Sequence, residues 1–267
     1  MSKFDILEEL QEFQEKIVEL QEKWKLEIAP FKINFDQAEI DAGAPILELA
    51  ELELDISQTQ RWIMELIDFV IGFKPSLKWR FINIPDLLTN ENIMEWLGKS
   101  LITDRKYFKH FAEEHGIEEW IPLFLAESTF HPLLQLIAET AQPEVDRMNI
   151  IENCPVCFEP IRMATLDGGG KKVIQCPRCY AHWHAKHLQC SHCGNEDHIT
   201  IHFLTIEGVP AMQIQVCEQC KCYIKILDTK QFITKLSVTL LDLSSIRLDI
   251  IAQDKGYFSI REKKVIH

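Results

Sequence analysis

Four C-x-x-C pairs constrain this chain more than anything else in it. Cys154/Cys157, Cys176/Cys179, Cys190/Cys193 and Cys217/Cys220 all fall in its C-terminal half. A two-residue gap lets both sulfurs of one tight turn point at the same ion. A second such turn completes a tetrahedron. One pair alone is a weak signal. Four pairs, with 18 residues inside the first two and 23 inside the second two, are a strong one. The simplest grouping joins neighbours. Cys154, Cys157, Cys176 and Cys179 then bind one ion, and Cys190, Cys193, Cys217 and Cys220 bind another, each set enclosing a strand-turn-strand ribbon. A crossed arrangement would instead join Cys154/Cys157 to Cys190/Cys193. Both sets lack an obvious open position, so they read as structural sites. Four thiolates suit zinc or iron equally, and no residue type decides between them.

Nine cysteines read as metal ligands in a reducing compartment and as disulfides in an oxidising one. The acidic start MSKFDILEEL has neither a basic segment nor an apolar one behind it. The expectation is therefore a cytoplasmic protein without a signal peptide. No run of roughly 18 uninterrupted apolar residues occurs, so no membrane partner is expected.

The net charge of −13 is unevenly spread. Residues 1–150 carry 29 acidic and 14 basic side chains, and residues 151–267 carry 12 and 14. Four thiolates on a divalent ion leave about −2 per site. Such a chain offers little attraction for phosphates, because non-specific nucleic-acid binding needs lysines and arginines that displace counterions. No nucleic-acid partner is expected.

Residues 1–150 read as helical. Ile6, Leu10, Phe13, Ile17, Leu20 and Trp24 recur at steps of 4, 3, 4, 3 and 4, a seam along one helix face. That seam serves either a coiled-coil partner or, more simply, a bundle inside its own domain. Asp36 caps a short second helix that stops at Ala42-Gly43-Ala44-Pro45. A third helix covers 57–72 with Gly72 as its stop, followed by an extended KWRFINIP stretch. Asn90 caps a helix from 91. Further helices cover 102–115 and 117–127, with another starting near Pro132, and the linker lies near 141–152. The cysteine half is strand-like in KKVIQC, HITIHFLTI, AMQIQVC and CYIKIL. From about 239 the pattern is helical again, with Leu243, Ile246, Ile250 and Ile251 on one face and Gly256 as the stop.

The remaining candidates are weaker. Asp167-Gly168-Gly169-Gly170 is a turn and not a phosphate loop, since no GKS or GKT follows at the required spacing. His182, His184 and His187 surround Trp183. They form either a third site or a polar linker around a packed tryptophan, and the complete cysteine sets favour the linker. Cys222 is the odd cysteine: a reactive thiol, an alternative ligand, or a small buried hydrophobe in a strand. No G-x-S-x-G, H-E-x-x-H or paired-carboxylate motif is present, so no catalytic residue is assigned and no enzyme is expected.

The cysteine half resembles the formate dehydrogenase accessory proteins of the FdhE type. The resemblance rests on CPVC (154–157), the GGG turn (168–170), CPRC (176–179) with Trp183-His184, and CSHCG (190–194). It continues in CEQC (217–220) with Tyr223-Ile224-Lys225, and in LDLSSIRLDIIAQDKGY (241–257). AGAPILEL (42–49) is a fainter match in the helical half. The chain departs from that pattern at His187 (usually Arg), at Leu241-Asp242 (usually two aspartates), at Phe158 (often Gly) and at Cys222 (usually not Cys). All eight paired cysteines carry over.

The resemblance implies an α+β protein: an N-terminal all-helical bundle, two rubredoxin-like or zinc-ribbon-like four-cysteine modules, and a C-terminal helix. The expected domains are 1–150, 151–186 and 187–267. It further implies an assembly factor, chaperone-like in role and outside the mature enzyme, that binds the catalytic subunit of formate dehydrogenase in the cytoplasm. Iron is the metal associated with such sites. The acidic helical half then supplies either more binding surface or a homodimer contact. Two other functions fit the cysteines: a small iron-thiolate redox carrier, and a zinc-ribbon nucleic-acid binder that the charge balance disfavours.

Overall fold

Local signals place most of the helices, and long-range contacts decide how far they run. The computed structural model describes residues 3–148, 150–206, 208–232 and 236–260. They fall into two compact units, Met1–Lys32 with Glu51–Leu136, and Ile33–Ala50 with Ile137–His267.

The first unit is helical. Helix α1 (Lys3–Lys25) carries the seam. It buries Ile17 and Trp24, half-buries Phe13 and Leu20, and leaves Leu10 exposed; the side chain of Ile6 lies outside those described. α2 (Gln37–Asp41) belongs to the second unit and begins at Asp36, whose Oδ1 accepts the amides of Ala38 (2.9 Å) and Glu39 (3.4 Å). α3 (Ile56–Phe73) packs on α1: Phe13 lies 5.3 Å from Phe69, and Trp24 stacks 5.8 Å from Trp62. The seam thus closes a bundle within its own unit. Gly72 lies inside α3, and the helix stops at Lys74 before Pro75. The stretch expected to be extended is instead a 3-10 turn, Pro75–Arg80, followed by the short α4 (Ile84–Leu87). Its apolar residues Phe81 and Ile84 are buried, and among the described residues no strand pairs with its backbone. α5 (Asn90–Leu101) is capped by Thr89 and α6 (Arg105–His115) by Asp104. Gly116 ends α6 at φ +63, a conformation glycine adopts without steric cost.

α7 (Trp120–Val145) replaces the two helices expected around Pro132. Proline removes an amide from the ladder and leaves the carbonyl four residues earlier without its helical partner. Here that carbonyl belongs to Ser128, and the Gln21 side chain on α1 donates to it at 2.8 Å. The helix therefore continues. By length and mean apolarity α7 matches a membrane span, but 67% of that window is buried inside the protein, as in a core helix.

The second unit is built on one six-stranded sheet. Its strands are β3 (Met163–Leu166), β4 (Lys172–Gln175), β5 (His182–Ala185), β6 (Ile201–Thr205), β7 (Met212–Cys217) and β8 (Tyr223–Leu227). Before them, β1 (Lys32–Ile33) and β2 (Ala50–Glu51) form a separate two-stranded ladder. The strand order is β5-β4-β3-β8-β7-β6. Each half is an antiparallel meander. The two meet where β3 runs parallel to β8, with Ala164 opposite Ile226. The Asp167–Gly170 turn joins β3 to β4, with Asp167 Oδ1 accepting from Gly169 (2.8 Å) and Lys171 (2.9 Å).

Two short helices follow the sheet, α8 (Val238–Ser244) and α9 (Ile246–Asp254), broken at Ser245. They bury Leu240, Leu241, Leu248 and Ala252, while Ile246 and Ile250 stay exposed. Of the four residues expected on one apolar face, Ile251 packs beside Leu248 and Ala252 and Leu243 is half-buried, whereas Ile246 and Ile250 face outward. The break at Ser245 resets the helical period, so residues before and after it do not share a face.

Charges fasten these helices to the sheet. Lys225, in the middle of β8 and only 2% exposed, donates to Asp242 Oδ1 (2.7 Å) and Asp249 Oδ2 (2.9 Å). Arg162 Nε reaches Asp242 Oδ2 at 2.8 Å, and the Tyr223 hydroxyl reaches Asp249 Oδ1 at 2.9 Å.

Candidate metal centres

All four C-x-x-C pairs are built as the same turn. The residue after the second cysteine donates its amide to the first cysteine's carbonyl. These bonds are Phe158 to Cys154 (2.9 Å), Tyr180 to Cys176 (2.9 Å), Gly194 to Cys190 (3.0 Å) and Lys221 to Cys217 (2.8 Å). The first cysteine's amide donates in return to the residue after that. Here the pairs are Cys154 to Glu159 (2.8 Å), Cys176 to Ala181 (3.0 Å), Cys190 to Asn195 (2.8 Å) and Cys217 to Cys222 (3.1 Å). Closing the turn this way puts its fifth residue in the left-handed region: φ is +59 at Phe158, +65 at Tyr180, +72 at Gly194 and +59 at Lys221. Only glycine adopts that conformation freely; an L side chain there costs about 1–2 kcal/mol.

The turns come together two by two, in the adjacent grouping. Cys154 Sγ lies 3.5 Å from Cys179 Sγ, and Cys157 Sγ lies 3.6 Å from Cys176 Sγ. In the other set Cys190 and Cys220 are 3.7 Å apart, and Cys193 and Cys217 3.8 Å. Within each set all four sulfurs lie within 4.8 Å of one another. A tetrahedral ion with metal–sulfur bonds of about 2.3 Å has sulfur–sulfur edges of about 3.8 Å. The donor set and its spacing therefore fit a thiolate-bound divalent ion in both places, and either zinc or iron meets that geometry.

Burial makes the two sets unequal. In the first, all four cysteines are buried; in the second, Cys193 is exposed. Burial pushes the Cys157 and Cys179 thiols well up. Cys176 is drawn well down, because hydrogen bonds from Cys154, Cys157 and Cys179 outweigh the effect of burial. Cys193, pushed up mainly by burial, stands at about 11. Four sulfurs this close favour at most one thiolate among them unless a cation supplies the missing charge, and a coordinated ion deprotonates thiols outright.

Several polar groups surround the sets. Asn195 Nδ2 approaches Cys217 Sγ at 3.5 Å while donating to Thr200 Oγ1 at 2.8 Å. The buried Arg178, inside the second turn, donates to the Cys157 carbonyl at 3.4 Å. The buried Lys172 donates to the Gln189 carbonyl, one residue ahead of Cys190, at 2.8 Å. None of these cations was singled out in the sequence. The signal available was a basic residue inside an apolar run, as in KKVIQC.

The histidines do not converge. His182 and His184 project from β5 into solvent while Trp183 is buried between them, and His187 stacks on Phe203 at 5.2 Å. Among the described residues, only the two cysteine sets are metal-capable clusters. Cys222 is buried beside the second set, packed with Cys190, Cys217, Cys220 and Ile260, with its Sγ 3.6 Å from the Cys220 carbonyl. It is a small packed side chain and not a member of the tetrad.

Comparison with known proteins points one way. Residues 188–263 match the model of the family described as "FdhE, C-terminal domain". That span contains the whole second cysteine set and both closing helices. The chain is 26% identical over 268 residues to a protein from Aquifex aeolicus named "Protein FdhE homolog", covering 97% of this chain and 88% of that one. A like-named protein of Pseudomonas aeruginosa is 29% identical over 112 residues, covering 39% and 36%. Among solved structures, the crystal structure of the FdhE protein from Pseudomonas aeruginosa matches with a TM-score of 0.62. The sequence identity is 15%, and the match covers 94% of this chain and 91% of that one.

Proposed function

We propose that this chain, similar to an FdhE homologue over nearly its whole length and to the FdhE C-terminal domain over residues 188–263, is an accessory factor for formate dehydrogenase that assists the enzyme's maturation without being an enzyme itself. It holds the catalytic subunit in the cytoplasm before that subunit is complete. The observation that carries this reading is the pair of closed thiolate tetrads. Each supplies all four donors from the protein and leaves no position for a substrate, which is the arrangement of a structural metal site. Cys154, Cys157, Cys176 and Cys179 would hold one ion, and Cys190, Cys193, Cys217 and Cys220 the other. Each ion would cross-link two turns that are otherwise held by two hydrogen bonds apiece. The chain's own residues then do the rest: the parallel β3–β8 pair joins the ribbons, and Asp242 and Asp249 fasten α8 and α9 onto the sheet. The product is a rigid surface for a protein partner. Neither nucleic acid nor a membrane is a partner in this reading.

The test is genetic and biochemical together. Deleting the gene should abolish formate dehydrogenase activity while the catalytic subunit is still synthesised, and the tagged protein should co-purify with that subunit from its native cell. Unchanged activity and maturation in the deletion strain would sink the proposal. A second reading, an iron-thiolate redox carrier, is favoured by the exposed Cys193, whose sulfur offers an edge for electron exchange. Red colour in the aerobic protein, together with measured reduction by a partner, would support it; a colourless protein would exclude it.

A further inference from the structure

Lys172 raises a question that neither the fold nor the proposed function answers. Its side chain is buried inside the second unit, at 1% exposure. Among the described residues its ammonium meets only two neutral oxygens, the Gln189 carbonyl at 2.8 Å and Gln215 Oε1 at 3.0 Å. Gln215 in turn donates to the His187 carbonyl at 3.0 Å, so its oxygen is turned toward the lysine. The contrast with Lys225 is direct, because that buried lysine has two carboxylates. Burying an ammonium without a countercharge is unfavourable, and burial pulls the Lys172 pKa down to about 8. Among the described residues, the group that opposes that pull is the sulfur of Cys190.

Four thiolates on a divalent ion carry a net charge of about −2. We propose that Lys172 is the countercharge of the second cysteine set, holding its ammonium against the chain just ahead of Cys190 and so strengthening the hold of Cys190, Cys193, Cys217 and Cys220 on their ion. The first set has the corresponding arrangement, since the buried Arg178 donates to the carbonyl of Cys157. Each site thus has one buried cation hydrogen-bonded to the backbone at or beside a ligand. Lys172, however, comes from β4 in the other ribbon. One ribbon therefore supplies charge to the other's metal site.

The inference rests on the second set's holding a divalent ion, so the amount of Co2+ bound by the wild-type protein is measured first; fewer than two ions per chain would fail that premise and not the role of the lysine. Ion release to a chelator is then followed by the cobalt–thiolate absorption, with phases assigned using Cys157→Ser and Cys193→Ser. Lys172→Met should release the second-site ion about 10- to 100-fold faster, the usual scale for a residue just outside the ligands, and leave the first site unchanged. Lys172→Gln, which keeps hydrogen-bonding capacity, should behave like Lys172→Met and guards against a folding failure in the apolar variant. Lys172→Arg should restore slow release. Gln215→Leu removes a hydrogen bond but no charge and should have little effect. Loading with iron adds a readout that packing alone would not move. Without the positive charge, the more negative reduced site is disfavoured, so the second-site potential should fall in Lys172→Met and not in Gln215→Leu. Equal acceleration of both sites, equal effects of Lys172→Met and Gln215→Leu, or an unshifted potential would each overturn the proposal.

Discussion

Replacing Asp242 by Asn should be among the most damaging single changes in the sheet unit that leaves every cysteine in place. Asp242 accepts from Lys225 at 2.7 Å and from Arg162 at 2.8 Å, and Lys225 is almost wholly buried. Removing one member of a buried ion pair costs about 3–5 kcal/mol, because the remaining charge stays buried. Asp249 still faces Lys225 at 2.9 Å, so the loss belongs at the low end, about 3 kcal/mol. With a urea m-value of about 2 kcal/mol/M, the midpoint should fall by roughly 1.5 M. The assay is urea titration of the cobalt-loaded protein, followed by cobalt–thiolate absorption, which reports on the unit that contains Asp242. Acid gives a second check. Although burial pushes its carboxyl up, Arg162 and Lys225 hold it below the usual range. A depressed folded pKa contributes stability above the unfolded value and loses it as pH falls through the folded one. The Asn variant should therefore show a shallower loss of stability below about pH 4 than the wild type. Adding Lys225→Met should recover part of the damage, since it removes the buried ammonium, while Arg162 keeps Glu159 and the partly exposed Asp249 keeps the Tyr223 hydroxyl. A midpoint shift below about 0.3 M, or a double variant worse than the sum of the singles, would refute the reasoning.

Three further outcomes follow from other contacts. Gln21→Leu should destabilise the helical unit by about 1–3 kcal/mol, since the Ser128 carbonyl loses its donor; the cost should shrink in a Pro132→Ala background, where the helix supplies its own amide. Circular dichroism melts of the four-member cycle would measure that difference. Gly194→Ala should weaken the second site and cost about 1–2 kcal/mol, because φ is +72 and the new Cβ would sit 3.1 Å from Ile151 Cδ1; chelator competition and urea midpoints report both effects. Iodoacetamide should modify Cys193 first and release one ion per chain before the second, because Cys193 is the exposed member of an otherwise enclosed set. Mass spectrometry with metal counting would show the order.

What the sequence determined by itself was whatever depends on neighbours along the chain. The C-x-x-C turn closes through bonds spanning four or five residues, so its position and the two cysteines it brings together were readable from spacing alone. The same is true of the Asp36 cap, the Gly116 stop and the Asp167–Gly170 turn. The left-handed residue that follows each pair was visible only at Gly194; Phe158, Tyr180 and Lys221 hide it, because the closing bonds force a conformation their side chains disfavour. The tertiary structure alone decided features whose partners are far apart. Gln21 arrives from α1 to take up the Ser128 carbonyl that Pro132 leaves without a helical amide. The two ribbons become one sheet only because β3 lies parallel to β8, about sixty residues further on. Lys172 and Lys225 look alike as single basic residues in apolar strands. Only folding shows that one meets two carboxylates and the other lies beside a ligand of the second metal site. Charge carries no periodic signature along a chain, so its pairing is settled in space.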